Sequence, residues 1–249
     1  MRILLTIEYR GTNYHGWQQQ KNYKSVSQTI EKAIYKITGQ EIRLKGAGRT
    51  DAGVHAYNMK AHFDIDFPLP PEKFAYVLNN ELPPDIKIRK SEQVDDNFHS
   101  RFDAKSKTYI YKILLTENPG GLYYDTHYVI KPPLDIDAIK QASKYLIGSH
   151  DFSAFMTQGS KPSSTVRTIM DFSIDLRDFD GGYGQELIIK IKGNSFLYNM
   201  VRVIVAQLVK VGKKILKPED IKTILESKQR KNAKEIAPAG GLYLLDIEY

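Results

Sequence analysis

The chain contains no cysteine among its 249 residues. This absence excludes disulfide bonds, zinc sites built on thiolates and cysteine nucleophiles in one step. Redox chemistry that depends on a thiol is excluded with them.

Long apolar runs are missing as well. Near the amino terminus the apolar run is interrupted by Thr6 and Glu8, which leaves it too short for a signal-peptide core. No stretch approaches the roughly 18 apolar residues of a membrane span. With 41% hydrophobic and 26% charged residues and no low-complexity block, the composition is that of a soluble globular protein. We therefore expect a cytoplasmic location.

Positive charge is concentrated in one part of the chain. The formal net charge is +7, and residues 190–234 contain twelve Lys or Arg against three Asp or Glu. This segment carries +9 and the rest of the chain −2. Many of these lysines belong to the solvated faces of helices, but as a group they favour a polyanionic partner.

Hydrophobic periodicity predicts mixed strands and helices in the first hundred residues. A strand is predicted over 3–9, and a helix begins at Ser25, whose side chain caps it, and ends at Gly39. Alternating residues over 59–66 predict a strand with one buried face. The remaining elements are a short helix opened by Pro70-Pro71 and a strand over 85–94.

The pattern of strand, helix and strand recurs in the rest of the chain. The predicted elements are a strand over 107–113, a helix over 136–146, strands over 165–178 and 186–192 joined by a turn at 180–184, a helix over 195–211 with Phe196 on its apolar side, a basic helix from Pro218 and a strand over 240–249. We therefore predict an α+β fold of two similar halves, residues 1–103 and 104–249. The halves share a mostly antiparallel mixed sheet that is flanked by helices.

A glycine-rich loop carries a lone carboxylate. Residues 46–55 read Gly-Ala-Gly-Arg-Thr-Asp-Ala-Gly-Val-His, so Asp51 follows Arg49 by two residues. Glycines allow a ligand to approach the backbone closely, and a nearby arginine keeps a carboxylate ionised. The loop predicts a reactive site. The alternative is a glycine-rich turn with an Arg–Asp pair on the surface.

This decapeptide resembles the tRNA pseudouridine synthase A family, and five other segments occur in that family's order. They are Gly-Trp-Gln at 16–18, Phe-His-Ser-Arg-Phe at 98–102, Lys-Thr-Tyr-Ile-Tyr at 107–111, Asn-Ser-Phe-Leu-Tyr-Asn-Met-Val-Arg at 194–202 and Gly-Leu-Tyr at 241–243. The resemblance implies the pseudouridine synthase fold, with both halves forming one catalytic unit. It also implies isomerisation of uridine in the anticodon stem-loop of tRNA, at positions 38 to 40, by a homodimer without metal or organic cofactor.

The resemblance implies catalytic roles for three residues. Asp51 matches the aspartate that takes part in breaking the C1′–N1 bond and joining C1′ to C5. It can add covalently to the base or the sugar, or act as a base at the sugar. Arg202 matches the arginine that pairs with this aspartate; otherwise it is an exposed residue of a basic helix. Tyr109 matches the tyrosine placed against the uracil, although strand packing applies to one of Tyr109 and Tyr111, which share a face.

The resemblance also implies RNA contacts. The matching residues are Arg49, Phe98, His99, Arg101 and Phe102. In the family the arginine that Arg49 matches enters the anticodon stem as the uridine leaves the stack. Phe98 or Phe102 could instead belong to the core, and Trp17 with Tyr14 could either stack on RNA or anchor the core.

Two functions of other classes remain open. One is a non-catalytic RNA-binding module, and the other is a carboxylate glycoside hydrolase, which requires a second carboxyl group beside Asp51. His55 and His62 lack metal-ligand spacing.

The chain departs from some family members in ending directly after the Gly-Leu-Tyr strand. It also has its own sequence over 158–163, where we expect substrate differences to arise.

Overall fold

Strands and helices occur in the order that the periodicity predicts. The computed structural model describes residues 1–118, 120–157, 159, 162–179 and 184–249. The strands described are β1 (Arg2–Tyr9), β2 (Lys45–Gly46), β3 (His55–Asp64), β4 (Ile86–Val94), β5 (Ser106–Leu115), β6 (Tyr128–Ile130), β7 (Gly148–Asp151), β8 (Val166–Asp178), β9 (Gln185–Gly193) and β10 (Leu242–Glu248). The α-helices are α1 (Val26–Thr38), α2 (Phe74–Glu81), α3 (Ile136–Ser143), α4 (Met200–Gly212) and α5 (Asp220–Ser227). None of these helices is long and apolar enough to cross a membrane.

Helix α1 begins and ends where its signals predict. The side chain of Ser25 accepts a hydrogen bond from the N–H of Gln28 at 3.3 Å. Gly39 adopts a left-handed conformation with φ 69°, and its N–H donates to the carbonyl of Tyr35 at 2.8 Å. A glycine at this position ends a helix without a steric cost. The predicted helix is confirmed.

The chain divides into two compact units. The first contains Met1–Lys105 and Tyr243–Tyr249, and the second contains Ser106–Leu242. The sequence analysis placed the last strand in the second half. The structure groups it with the first unit because β10 pairs in parallel with β3, where Tyr243 lies opposite His55.

The sheet of the first unit is built around β3. Strand β1 lies between β4 and β3 and is antiparallel to both. The other edge of β3 has two partners, β10 beside its start and the antiparallel β2 beside its end. Met59, Ala61 and Phe63 are buried on one face, where the Phe63 ring meets the edge of Phe74 in α2 at 5.8 Å. The predicted alternation holds on this face.

The opposite face of β3 departs from the predicted polar pattern at His62. Asp64 is exposed as expected, but His62 has no exposed surface. The turn after β4 covers it, and the N–H of Ser100 donates to His62 Nδ1 at 3.2 Å. His62 is therefore buried by a neighbouring turn, which the alternation of a single strand cannot reveal.

The sheet of the second unit has the order β6, β5, β9, β8, β7. Strand β6 is parallel to β5, and the other pairs are antiparallel. The predicted hairpin is present, with Asp178 of β8 opposite Gln185 of β9. Some residues of the predicted turns lie outside the described residues, namely Pro119, Gln158, Ser160, Lys161 and 180–183. The α+β fold class, with mostly antiparallel strands flanked by helices, is confirmed.

The predicted start of the long helix is wrong by five residues. Helix α4 begins at Met200 instead of residue 195, so Phe196 precedes the helix. Asn199 has a left-handed backbone with φ 60°, which a helix interior does not allow. The side-chain oxygen of Asn194 accepts the N–H groups of Ser195 at 2.7 Å and Thr168 at 3.1 Å. These local bonds compete with helix formation.

Asp135 caps the start of helix α3, which gives a test of the capping contribution. The Asp135 carboxylate accepts the N–H of Ala138 at 3.0 Å. We expect Asp135→Ala to lower the free energy of unfolding by about 1 kcal/mol, because this N–H loses its partner. Asp135→Asn keeps the acceptor and should retain most of the stability. Urea unfolding followed by circular dichroism measures both, and equal midpoints for the two variants would contradict the role of the cap.

Candidate active site

The Gly46–His55 loop is anchored at both ends on β3. It starts in β2, which pairs with the end of β3, and the N–H of Ala47 donates to the carbonyl of Lys60 at 2.8 Å. It ends at His55, whose Nδ1 accepts the N–H of Gly11 at 3.0 Å. The loop therefore leaves β2 beside the end of β3 and enters β3 at its start, which restricts the positions available to the residues between.

The middle of the loop is held by the segment that precedes α1. The carbonyl of Thr50 accepts the N–H of Trp17 at 3.1 Å, and the carbonyl of Tyr14 accepts the N–H of Gly53 at 3.2 Å. These two bonds lie on either side of Asp51 in the sequence. The backbone around the carboxylate is thus fixed from both directions.

Two glycines permit this packing. Gly16 has φ +83°, and a Cβ there would lie 2.5 Å from the carbonyl oxygen of Thr50. A Cβ on Gly46 would collide with the indole ring of Trp17. Trp17 and Tyr14 are each only 2% exposed. Of the two interpretations of these rings, the structure supports anchoring of the core.

Asp51 and Arg49 differ in exposure. Asp51 is half-buried and Arg49 is exposed, whereas Thr50 between them is buried. The carbonyl of Asp51 accepts the N–H of Val54 at 3.2 Å, which closes a turn. A half-buried carboxylate on a braced loop, flanked by glycines that allow close backbone approach, is suited to contact a substrate.

The turn after β4 carries one packed ring and one exposed ring. Phe98 lies against Tyr249, with ring centroids 4.9 Å apart, and is half-buried. Phe102 is 73% exposed; its ring lies 4.3 Å from that of His99 and 5.6 Å from the Arg101 guanidinium. Of these two phenylalanines, Phe102 is the more exposed.

His62 and Ser100 connect this turn to β2. The Ser100 N–H donates to His62 Nδ1, and the Ser100 hydroxyl donates to the carbonyl of Lys45 at 2.6 Å. Nδ1 of His62 also lies 2.9 Å from the Ser100 hydroxyl, and Nε2 has no hydrogen-bond partner among the described residues. Burial, with the positive charges of His99, Arg2 and Lys45, lowers the pKa of His62 to about 4.

In the second unit, Tyr109 and Tyr111 lie on the same face of β5. Tyr111 has no exposed surface, and its hydroxyl donates to the carbonyl of Pro238 at 2.7 Å. Tyr109 is 8% exposed and meets the Phe196 ring edge-on, with centroids 5.1 Å apart. Both rings are buried, Tyr111 more completely than Tyr109.

Arg202 lies in the first turn of α4 and is half-buried. Its Nε donates to the carbonyl of Ala237 at 2.8 Å, and its Nη1 donates to Asn199 Oδ1 at 2.8 Å. The N–H of Ala237 in turn donates to the carbonyl of Arg202 at 3.1 Å. The guanidinium is oriented from two sides, which differs from a solvated side chain on a basic helix.

The positive charge of residues 190–234 is partly neutralised by acidic residues from elsewhere in the chain. The pairs are Lys210 with Glu235, Lys214 with Asp135 at 3.9 Å and Lys228 with Asp151 at 3.8 Å. Counting charges in a sequence window missed these acids. Exposed pairs of this kind are weak and screened by salt, so the segment still favours an anionic partner.

The sequence analysis missed two residues that orient the predicted site residues. His62 was placed on the polar face of a strand and rejected as a metal ligand, and Asn199 was placed inside a helix. An asparagine directly before an apolar helical run was an available signal, since asparagine tolerates the left-handed region. Among the described residues, no three His, Asp or Glu side chains are grouped so as to hold a metal ion.

Comparison with known proteins identifies close relatives along the whole chain. A family model described as tRNA pseudouridine synthase matches residues 5–103 and 142–249. These ranges include Asp51 and Arg202, whereas Tyr109 lies between them. The tRNA pseudouridine synthase A of Acetivibrio thermocellus is 44% identical over 99% of both chains.

Two further relatives have the same extent. The tRNA pseudouridine synthase A of Thermoanaerobacter sp. strain X514 is 46% identical over 99% of both chains. The tRNA pseudouridine synthase A 2 of Clostridium tetani is 47% identical over 99% of this chain and 98% of its own.

The lowered pKa of His62 predicts how stability depends on pH. Between the ordinary pKa of 6.5 and the native value of about 4, the unfolded chain binds a proton that the native chain does not. Stability is therefore lost as the pH falls through this range, by an amount on the order of 1–3 kcal/mol.

Chemical unfolding of the wild type and His62→Asn at pH 7, 5.5 and 4.5 measures this contribution. Asparagine can still accept the Ser100 N–H but does not titrate, so the variant should lose less stability on acidification. Parallel losses in the two proteins would refute the assignment to His62.

Proposed function

The chain belongs to the tRNA pseudouridine synthase family, whose members are isomerases that convert uridine in tRNA to pseudouridine, and we propose that its target uridines lie in the anticodon stem-loop at positions 38 to 40. We further propose Asp51 as the essential carboxylate. The observation that carries this role is the braced, half-buried position of Asp51 between the backbone bonds of Thr50 and Gly53.

The reaction rearranges bonds without consuming a second reactant. The C1′–N1 bond breaks, C1′ joins C5 of the same base, the hydrogen on C5 leaves as a proton, and N1 gains a proton. A carboxylate can serve this sequence as a nucleophile toward the base or the sugar, or as a base at the sugar. Each route requires Asp51 to be ionised at the start.

We propose that Arg202 keeps Asp51 ionised during catalysis. A guanidinium favours the charged form of a neighbouring carboxylate and can bind it through two parallel hydrogen bonds. The bonds to Ala237 and Asn199 use two of the five N–H donors of Arg202. They orient the planar group before substrate binds, which limits the reorganisation needed during reaction.

Tyr109 is our proposed contact for the target uracil. Its low exposure and its edge-on contact with Phe196 hold the ring in one orientation. An immobilised aromatic ring provides a flat surface against which a base can rest.

The proposed RNA contacts are Arg49, Phe98, His99, Arg101 and Phe102. An exposed ring beside a guanidinium, as in Phe102 and Arg101, suits bases that have left a regular stack. Arg49 is exposed on the same loop as Asp51, where it could fill the space that a displaced uridine vacates. By family resemblance we also propose a homodimer that holds one tRNA, and a cytoplasmic location.

Substitution of Asp51 tests the catalytic proposal. With tRNA tritiated at uridine C5, we expect the wild type to release tritium and Asp51→Ala to be slower by at least about 10³-fold. Affinity for tRNA should change by less than about threefold, because the lost interaction acts on the reacting bonds.

Asp66→Ala removes an exposed carboxylate near the end of β3 and serves as the matched control. Near-normal turnover by Asp51→Ala would refute the assignment. Loss of activity in both variants would point to a general effect of lost negative charge.

The anticodon proposal is tested with tRNA transcripts that differ only at positions 38 to 40. We expect tritium release from transcripts with a uridine at one of these positions and no release when all three are replaced by cytidine. Release from the fully replaced transcript would overturn the anticodon assignment while leaving the isomerase activity established.

A further inference from the structure

The turn before α4 contains a residue whose backbone and side chain perform separate tasks. Asn199 has φ 60° and ψ 8°, and the N–H of Val203 donates to its carbonyl at 2.9 Å, so it forms the left-handed start of the helix. Its side-chain oxygen accepts Nη1 of Arg202, and its side-chain nitrogen donates to the hydroxyl of Thr157 at 2.8 Å.

The side chain of Asn199 therefore bridges two parts of the second unit. Thr157 stands immediately before the 158–163 segment, in which we expect substrate differences to arise. Its N–H also donates to the carbonyl of Tyr198 at 3.2 Å, so backbone and side chain both attach it to the same turn. The side chain of Tyr198, whose carbonyl accepts this bond, is 45% exposed.

We propose that Asn199 is a positioning residue for catalysis: it sets the orientation of the Arg202 guanidinium and couples that orientation to the position of Thr157. The proposal rests on the role of Arg202 proposed above. The carbonyl of Ala237 accepts Nε and the side-chain oxygen of Asn199 accepts Nη1, and two bonds at different atoms of a rigid planar group define its plane.

The backbone conformation makes a decisive variant available. At φ 60° glycine has the lowest steric cost of all residues, and asparagine is merely tolerated. Asn199→Gly therefore preserves the turn and removes only the side-chain bridge. If Asn199 served only to form the left-handed turn, this variant would be as active as the wild type.

The experiment compares Asn199→Gly with the wild type in tritium release from tRNA, with thermal unfolding measured in parallel. We expect kcat to fall about 10- to 100-fold, since small errors in orientation at a reacting centre have effects of this size. KM should stay within about threefold, and the variant should remain folded at the assay temperature, since two lost side-chain hydrogen bonds are a small part of the total stability. Wild-type kcat in Asn199→Gly overturns the proposal.

The Thr157 end of the bridge is tested with a matched pair. Thr157→Val has nearly the same shape but lacks the hydroxyl, and we expect it to lower kcat about 3- to 10-fold. Thr157→Ser restores the hydroxyl and should recover most of that loss. Equal kcat values for the valine and serine variants contradict the coupling to Thr157.

Arg202→Ala separates failure of this inference from failure of the proposed function. If Arg202→Ala retains wild-type kcat, the proposed role of Arg202 is wrong, and the inference falls with it. If Arg202→Ala loses activity while Asn199→Gly does not, only the positioning role of Asn199 is overturned.

Discussion

The shared edge of β3 is the constraint on which the first unit depends. Strand β10 occupies the start of that edge and β2 occupies its end. A backbone donor or acceptor on a strand edge pairs with one neighbour, so the two strands divide the edge between them. The Gly46–His55 loop must span the interval, and contacts with residues 14–17 fix its shape. The position of Asp51 is thus a consequence of strand pairing.

Features specified by short stretches of sequence were predicted well. Helix α1 is an example, because Ser25 and Gly39 act on groups within four residues of themselves. The buried face of β3 follows from an alternation that is local too. Helix α4 was predicted too long because apolar spacing continued through Asn199, whereas side-chain bonds of Asn194 and the left-handed backbone of Asn199 set its true start.

The candidate site shows the same division between local and distant causes. Asp51 and Arg49 were identified from their motif, but the need for glycine at Gly16 and Gly46 appears only when Trp17 and Thr50 are seen against them. His62 was misjudged because the turn that buries it lies nearly forty residues away, at Ser100. The charge of residues 190–234 was overstated because its neutralising acids lie outside that window, Glu235 directly after it and Asp135 and Asp151 in earlier segments.

The pairing of β10 with β3 also bears on the order in which the protein acquires its structure. Asn58 and the carbonyl of Leu245, which it binds, are 187 residues apart in sequence. A ribosome therefore completes the entire second unit before it supplies the strand that covers the start of β3. Until then that edge is unpaired on the nascent chain, open to wrong partners, and the loop of Asp51 lacks one of its supports. The first unit to emerge is accordingly the last to be finished.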